Sequence, residues 1–147
     1  MKMENKQLPR GIRNNNPLNI RLSWRNKWKG QIPPSPSPTG EGRGEAAFCQ
    51  FESLEWGIRA AFCLLRTYKK KYNLNCIADI IMRWAPPNEN QTAQYIRNVC
   101  RWTGIGGMQR LTEADWPILI QAMARQETGV ELSNPLIERA FEFFKKN

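Results

Sequence analysis

Histidine is absent from this 147-residue sequence. A catalytic triad built on an imidazole is therefore excluded. Cysteine occurs four times and never as a C-x-x-C pair, so a zinc site is not expected, and we predict neither a metal nor a cofactor. Three of the four cysteines lie among apolar neighbours in segments of helical pattern, which is typical of reduced core residues. The four are Cys49, Cys63, Cys76 and Cys100.

Long hydrophobic runs are also absent. No apolar stretch approaches the roughly 20 residues that a membrane-spanning helix needs. Residues 1–6 lack the apolar segment of a secretory signal, so we expect synthesis in a cytoplasm without a cleaved signal peptide. A chain of this length is most simply one domain with its own core, and we assign residues 1–147 to a single domain.

Acidic residues are few relative to basic ones. The chain has 22 Lys and Arg against 13 Asp and Glu, a net charge of +9. This balance predicts a polyanionic partner. Nucleic acid, an anionic membrane surface and the bacterial cell wall all qualify, and charge alone does not separate them.

Proline and glycine divide the first third of the chain. Residues 1–13 are polar and basic with Pro9 and Gly11 as breakers, and little regular structure is expected there. Residues 18–22 alternate and predict a short strand, and residues 46–51 predict the strand that returns beside it. Between them, the Pro/Gly-rich segment 31–44 predicts a surface loop without helix or central strand.

The remainder of the chain has the periodicity of five helices. The first, about Leu54–Tyr72, begins after Ser53, and the second and third are expected to be capped by Asn75 and Thr92. Thr112 or Asp115 begins the fourth, Gly129 ends it, and Ser133 begins the fifth. The predicted fold is therefore mainly α, with about five helices and a small β-hairpin.

Two polar features stand out near the N-terminus. Asn14, Asn15 and Asn16 precede Pro17, which is typical of a turn. Their amides would also suit a groove that grips sugar hydroxyls and acetamido groups, and the sequence leaves both interpretations open. The segment 24–29 interleaves tryptophan with basic residues, a pattern that suits stacking on sugars or bases as well as packing against the sheet.

One carboxylate is unusually placed. Glu127 ends a strongly apolar helix, and Gly129 then stops that helix. Apolar surroundings and the negative end of a helix dipole both favour a carboxyl group that keeps its proton. An ordinary exposed Glu before a glycine cap is the plainer interpretation. Other Glu residues lie in the Pro/Gly-rich segment, at helix starts or on exposed faces, so Glu127 is the first candidate for a general acid and Glu89 the second.

Three blocks of the chain resemble a known family. They are residues 11–21 (GIRNNNPLNIR), 51–60 (FESLEWGIRA) and 83–92 (RWAPPNENQT). Together they are similar to phage and prophage proteins described as virion-associated or endolysin-like peptidoglycan hydrolases. Residues 124–129 (ARQETG) resemble the end of the catalytic helix of lytic transglycosylases, which in those enzymes precedes the Asn-rich turn. The reversed order here implies a circular permutation.

The resemblance implies a lysozyme-like α+β fold and cleavage of the β-1,4 glycan strand of peptidoglycan, in the manner of a lytic transglycosylase or a muramidase. Glu127 would be the general acid and base. Glu89 or Glu52 opposite it would allow ordinary two-carboxylate hydrolysis. The candidate substrate contacts are Asn14, Asn16, Asn19, Arg21, Trp84, Asn90, Thr92 and Tyr95.

Two further functions stay open at this stage. The charge and the segment 24–29 would also suit a nucleic-acid-binding protein, although the basic residues are dispersed and form no recognised motif. The second open function is that of a virion structural protein, which would keep the fold but have no enzymatic activity. As a wall-cleaving enzyme, the protein would act at the bacterial cell wall after phage delivery or release, with peptidoglycan and virion components as partners.

Overall fold

The computed structural model describes residues 8–34 and 47–147. Within these ranges the chain forms six α-helices, one 3-10 turn and a two-stranded antiparallel sheet. The protein is thus mainly helical with a small β-hairpin, as the sequence predicts. The elements in chain order are α1 (Arg10–Arg13), β1 (Gln31–Ile32), β2 (Gln50–Phe51), α2 (Leu54–Tyr72), α3 (Ile77–Trp84), α4 (Thr92–Thr103), the 3-10 turn (Glu113–Asp115), α5 (Trp116–Thr128) and α6 (Asn134–Lys146).

The five long helices form where hydrophobic periodicity predicts them, and several of their ends have the expected chemistry. The Ser53 hydroxyl accepts a hydrogen bond from the amide of Trp56 and so caps α2. Ser133 caps α6 in the same way. Gly129 ends α5 in the left-handed conformation, with φ of 74°, which glycine adopts at little cost.

Two predicted caps are wrong. Cys76, not Asn75, is the residue before α3, and it makes no side-chain capping bond. The Asn75 amide instead donates to Asn73. Thr92 lies inside α4 as its first residue, and its hydroxyl donates to the carbonyl of Ala85 at the end of α3. Its hydrogen bond therefore joins two helices rather than starting one.

The hairpin differs from the prediction in its partner strands. Residues 18–22 form only one bridge to the returning chain, at Arg21 and Phe48, whereas the ladder pairs Gln31 with Phe51. Around this bridge the Ile20 carbonyl accepts from the Cys49 amide and the Leu22 amide donates to the Ala47 carbonyl. The Asn16 side chain holds both backbone groups of Ile20 in addition. The Pro/Gly-rich segment thus contributes β1 at residues 31–32, and residues 35–46 lie outside the described residues.

The N-terminal segment also differs from the prediction. Although Pro9 and Gly11 suggested little regular structure, residues 10–13 form α1. The Pro9 carbonyl accepts hydrogen bonds from the amides of Ile12 and Arg13. Proline does not oppose this helix because it precedes the first turn, where its missing N–H is not needed.

The core surrounds α2, which packs against α5 and α6, while α4 packs against α3 and α5. Ile58, Phe62 and Leu65 of α2 are buried, as are Leu119 and Met123 of α5. Burying side chains of this size stabilises the fold by about 1.5–3 kcal/mol each. In the described part of the chain, no helix combines the length and the apolar character needed to cross a membrane.

Two glycines hold the asparagine-rich loop 14–19 between α2 and α5. A Cβ on Gly57 would overlap the carbonyl oxygen of Asn15, so only glycine lets α2 approach this loop. A Cβ on Gly11 would lie 2.9 Å from both the Asn16 carbonyl oxygen and the Thr128 methyl group at the end of α5. The loop is thereby fixed against the helix that carries Glu127.

Candidate active site

A cleft of about 390 Å³ opens between the N-terminal loop and the helices. This volume lies in the range of small-molecule sites. Six residues that the sequence singles out line it, namely Asn19, Arg21, Trp84, Glu89, Asn90 and Glu127. Residues from the two ends of the chain therefore share one concave surface.

Glu127 lies in the last turn of α5 and is half-buried. Each of its carboxyl oxygens accepts one hydrogen bond at 3.0 Å, Oε1 from the side-chain amide of Asn19 and Oε2 from the hydroxyl of Tyr95. A carboxylate has about four lone-pair positions, so two remain for a proton or a substrate hydroxyl. The carboxyl group is thus fixed in orientation and still able to exchange a proton.

Asn19 reaches Glu127 because of an unusual backbone conformation. Its φ is 52°, in the left-handed region that asparagine tolerates better than most residues. Its amide N–H donates to the Asn16 carbonyl and closes a tight turn. Its Oδ1 is buried and makes no hydrogen bond, while Nδ2 is directed at Glu127.

Tyr95, a candidate substrate contact from the sequence, does not line the cleft and instead supports Glu127 from behind. It is buried on α4, which packs against α5. Burial, and secondarily the charge of Glu127, raises the pKa of Tyr95 well above its usual value near 10. The phenol therefore stays protonated at neutral pH and remains a hydrogen-bond donor.

Asn14, Asn16 and Thr92, predicted as substrate contacts, are buried outside the cleft lining. The Asn16 amide group donates to the carbonyls of Ile20 and Cys49, and its carbonyl accepts from Ile20. Asn14 accepts a hydrogen bond from Gln50, and Thr92 bonds Ala85. These side chains hold the loop and the helix ends in place, and so their predicted contact role is corrected to a structural one.

Glu89 supplies a second carboxyl group in the same cleft. It follows α3 in an exposed loop in which its own amide and the Asn90 side chain both donate to the Pro86 carbonyl. Glu52, the other residue considered opposite Glu127, is not part of the lining. The cleft thus pairs a fixed carboxyl group on a helix with one on a loop.

The cleft also contains side chains that the sequence did not single out. The guanidinium carbons of Arg10 and Arg21 lie 3.8 Å and 5.1 Å from the centre of the Phe48 ring. Trp28 and Tyr68 add aromatic surface. The only sequence feature that pointed to Trp28 as a ligand contact was the alternation of tryptophan with basic residues in segment 24–29. No sequence pattern indicated that Arg10 or Phe48 lies in the cleft. The other lining residues are Arg10, Leu18, Ile20, Asn26, Trp28, Phe48, Leu64, Tyr68 and Ala85.

The arrangement suits a neutral or weakly charged polar ligand. Two carboxyl groups match two guanidinium groups in number, and amides, aromatic rings and four aliphatic side chains form the remaining lining. Residues 8–34 and 47–147 contain no group of three or more Asp, Glu or Cys placed to hold a metal ion.

Comparison with known proteins gives one result that bears on family. No protein-family model matches the chain. Protein P5 of Pseudoalteromonas phage PM2 is 41% identical to it over 140 residues, which cover 91% of this chain and 81% of that protein.

Proposed function

This chain belongs to the family of Protein P5 of Pseudoalteromonas phage PM2. From the geometry of the Glu127 cleft we propose that it cleaves the β-1,4 glycan strands of bacterial peptidoglycan. The observation that carries the proposal is the hydrogen-bonding of Glu127 by Asn19 and Tyr95 on the wall of the cleft. A general acid must hold a fixed orientation toward the bond that it protonates.

The lining of the cleft suits a sugar polymer. Trp28, Trp84 and Tyr68 offer flat apolar rings for the faces of pyranose units, and Asn26 and Asn90 offer amides for acetamido and hydroxyl groups. The net charge of +9 favours approach to an anionic wall. These features support a glycan substrate more directly than a small anionic metabolite.

In the proposed reaction, Glu127 donates its proton to the glycosidic oxygen as the bond to the anomeric carbon breaks. The carboxylate that remains then takes a proton from the nucleophile. If the nucleophile is the 6-hydroxyl of the muramic residue, the product has a 1,6-anhydro end. If it is water, oriented by the Glu89 carboxylate, the product has a reducing end.

Protein P5 is a phage protein, as are the wall-cleaving enzymes that the three sequence blocks resemble. A catalytic Glu at the end of a buried helix, facing an asparagine-rich loop, supports a lysozyme-like arrangement in which the order of helix and loop is circularly permuted. As such an enzyme the protein would act at the cell wall, delivered with a virion or released at lysis.

Digestion of purified peptidoglycan, with mass spectrometry of the new chain ends, tests this proposal. An anhydro-muramic end identifies a lytic transglycosylase, a reducing muramic end a muramidase, and a reducing glucosamine end a glucosaminidase. Absence of any new glycan end at high protein concentration would contradict the proposal.

A nucleic-acid-binding function has one specific observation in its favour. Trp24 is 85% exposed, and the guanidinium carbon of Arg25 lies 5.1 Å from its ring. Such a pair can stack on bases. Binding to DNA that weakens steeply with added salt, together with no release of glycan from cell walls, would favour this alternative.

A further inference from the structure

A second groove adjoins the cleft. Six of its lining residues are Tyr68, Tyr72, Asp79, Met82, Arg83 and Pro86, and we call it the side groove. Tyr68 lines both the cleft and the side groove, and the groove residues Arg83 and Pro86 flank the cleft residues Trp84 and Ala85 in the chain. A ligand in the cleft can therefore extend a substituent into the side groove.

Arg83 is the centre of the side groove. Its guanidinium carbon lies 3.6 Å from the centre of the Tyr72 ring and 5.4 Å from that of Tyr68. Stacking on an aromatic face orders the guanidinium and leaves N–H donors at its edge, in the fork that matches a carboxylate. Among the residues that the structure describes, no carboxylate comes within 4.0 Å of this group.

The surroundings of Arg83 combine apolar surface with one opposite charge. Tyr72 and Met82 are 39% and 48% exposed, so apolar area beside the cation is open to a ligand. Asp79 lies one turn earlier on α3 and lines the same groove. The groove thus presents a cation, an anion and apolar contacts, which are complementary to a short peptide with both carboxyl and amino groups.

Resting on the proposed function, we propose that the side groove binds the peptide stem of the peptidoglycan strand whose glycan occupies the cleft. Arg83 pairs with a carboxylate of the stem, and Asp79 suits the free amino group of a diamino acid within it. Stems branch from the lactyl groups of muramic residues, so a strand in the cleft carries them to its side. The preferred substrate is then glycan that still carries its peptides.

Comparing two substrates distinguishes the contribution of the stem from that of the glycan. One is peptidoglycan that carries its stems, and the other is the same strands after an amidase has removed them. For wild type we expect a higher kcat/KM on the stem-bearing strands. Arg83→Gln should lower that value roughly tenfold, since a charge-assisted bidentate pair is lost, and should leave the stripped strands unaffected. Arg83→Lys should lose part of the preference, because it keeps the charge and loses the fork.

Arg110→Gln is the matched control, since it removes an exposed charge that lines neither groove. Equal losses on both substrates by Arg83→Gln, or no loss on either, would overturn the inference while leaving the proposed function intact. If wild type cleaves neither substrate, the proposed function fails. Calorimetry with a soluble disaccharide-tetrapeptide then tests whether the side groove binds a peptide stem. The inference requires that wild type binds this ligand and that Arg83→Gln does not.

Discussion

The side-chain amide of Asn19 donates a hydrogen bond to Oε1 of Glu127 at 3.0 Å, joining residues 108 positions apart in the chain. Tyr95 donates to the other oxygen at the same distance. The loop from the N-terminal end and the helix near the C-terminal end thus form one polar site. If Glu127 is the proton donor, both neighbours act by fixing its orientation.

Removing the Asn19 side chain should slow the reaction without unfolding the protein. Asn19→Gly is the cleanest change, since glycine accepts the φ of 52° at this position. Losing a hydrogen bond to the protonated carboxyl group is worth about 0.5–1.5 kcal/mol, so we expect kcat to fall about two- to tenfold with little change in KM. Initial rates on solubilised glycan strands would measure both, and a rise in KM at constant kcat would assign Asn19 to substrate binding instead.

Tyr95→Phe should lower kcat in a similar manner while the fold persists, because only the hydroxyl is lost. Burial raises the pKa of Tyr95 well above its usual value, so the wild-type phenol should ionise only at unusually high pH in an ultraviolet titration. Stability that depends on the neutral phenol is fully present below pH 10 and is lost as the pH rises further. In Tyr95→Phe the highest-pH step should vanish, and an unchanged titration would contradict this placement.

Substitutions at Asn16 and Asn90 should distinguish an asparagine that stabilises the fold from one that binds substrate. Asn16→Ala leaves the amide of Ile20 without its acceptor and removes the side-chain donor to the carbonyl of Cys49, so we expect the free energy of unfolding to fall by about 2–4 kcal/mol. Asn90→Ala alters an exposed cleft residue and should raise KM with little effect on stability. Urea unfolding together with Michaelis kinetics measures both variants, and the reverse pattern would show that their roles are exchanged.

Gly57 should tolerate no side chain despite its place in a helix. Alanine normally stabilises a helix by about 1 kcal/mol relative to glycine. Here its Cβ would overlap the Asn15 carbonyl oxygen, so Gly57→Ala should destabilise by about 1–3 kcal/mol and disturb the loop that positions Asn19. Gly106→Ala is the control, since the nearest atom to its Cβ would be 3.8 Å away, and equal stabilities of the two variants would refute this packing.

Helices were predictable because their information is local. The stripe of Ile77, Ile80 and Ile81 defines α3 by spacing alone. Of the two strands, β2 lies within the predicted residues 46–51, whereas β1 at residues 31–32 was not predicted, since two residues are too short for a periodic pattern. The same amide group can hydrogen-bond the backbone or a sugar. The sequence therefore could not show that Asn16 bonds the backbone while Asn19 lines the cleft.

The candidate site was predictable in part for the same reason. Glu127 stands out because an apolar helix and Gly129 surround it in sequence. Tyr95 shows only as one position of a helical stripe, and its contact with Glu127 depends on how α4 crosses α5. Arg10 and Phe48 come together only through the bridge between Arg21 and Phe48, which no local pattern indicates.

The rate of glycan release from purified peptidoglycan by Glu127→Gln, relative to wild type, tests the proposed chemistry most directly. Glutamine keeps the shape of the side chain and removes the transferable proton. Glu131→Gln, exposed in the link that follows α5 and outside the cleft, is the matched control. We expect Glu127→Gln to lose about 10²–10⁴-fold in rate while Glu131→Gln stays active. Full activity in Glu127→Gln would contradict the assignment of Glu127 as the general acid.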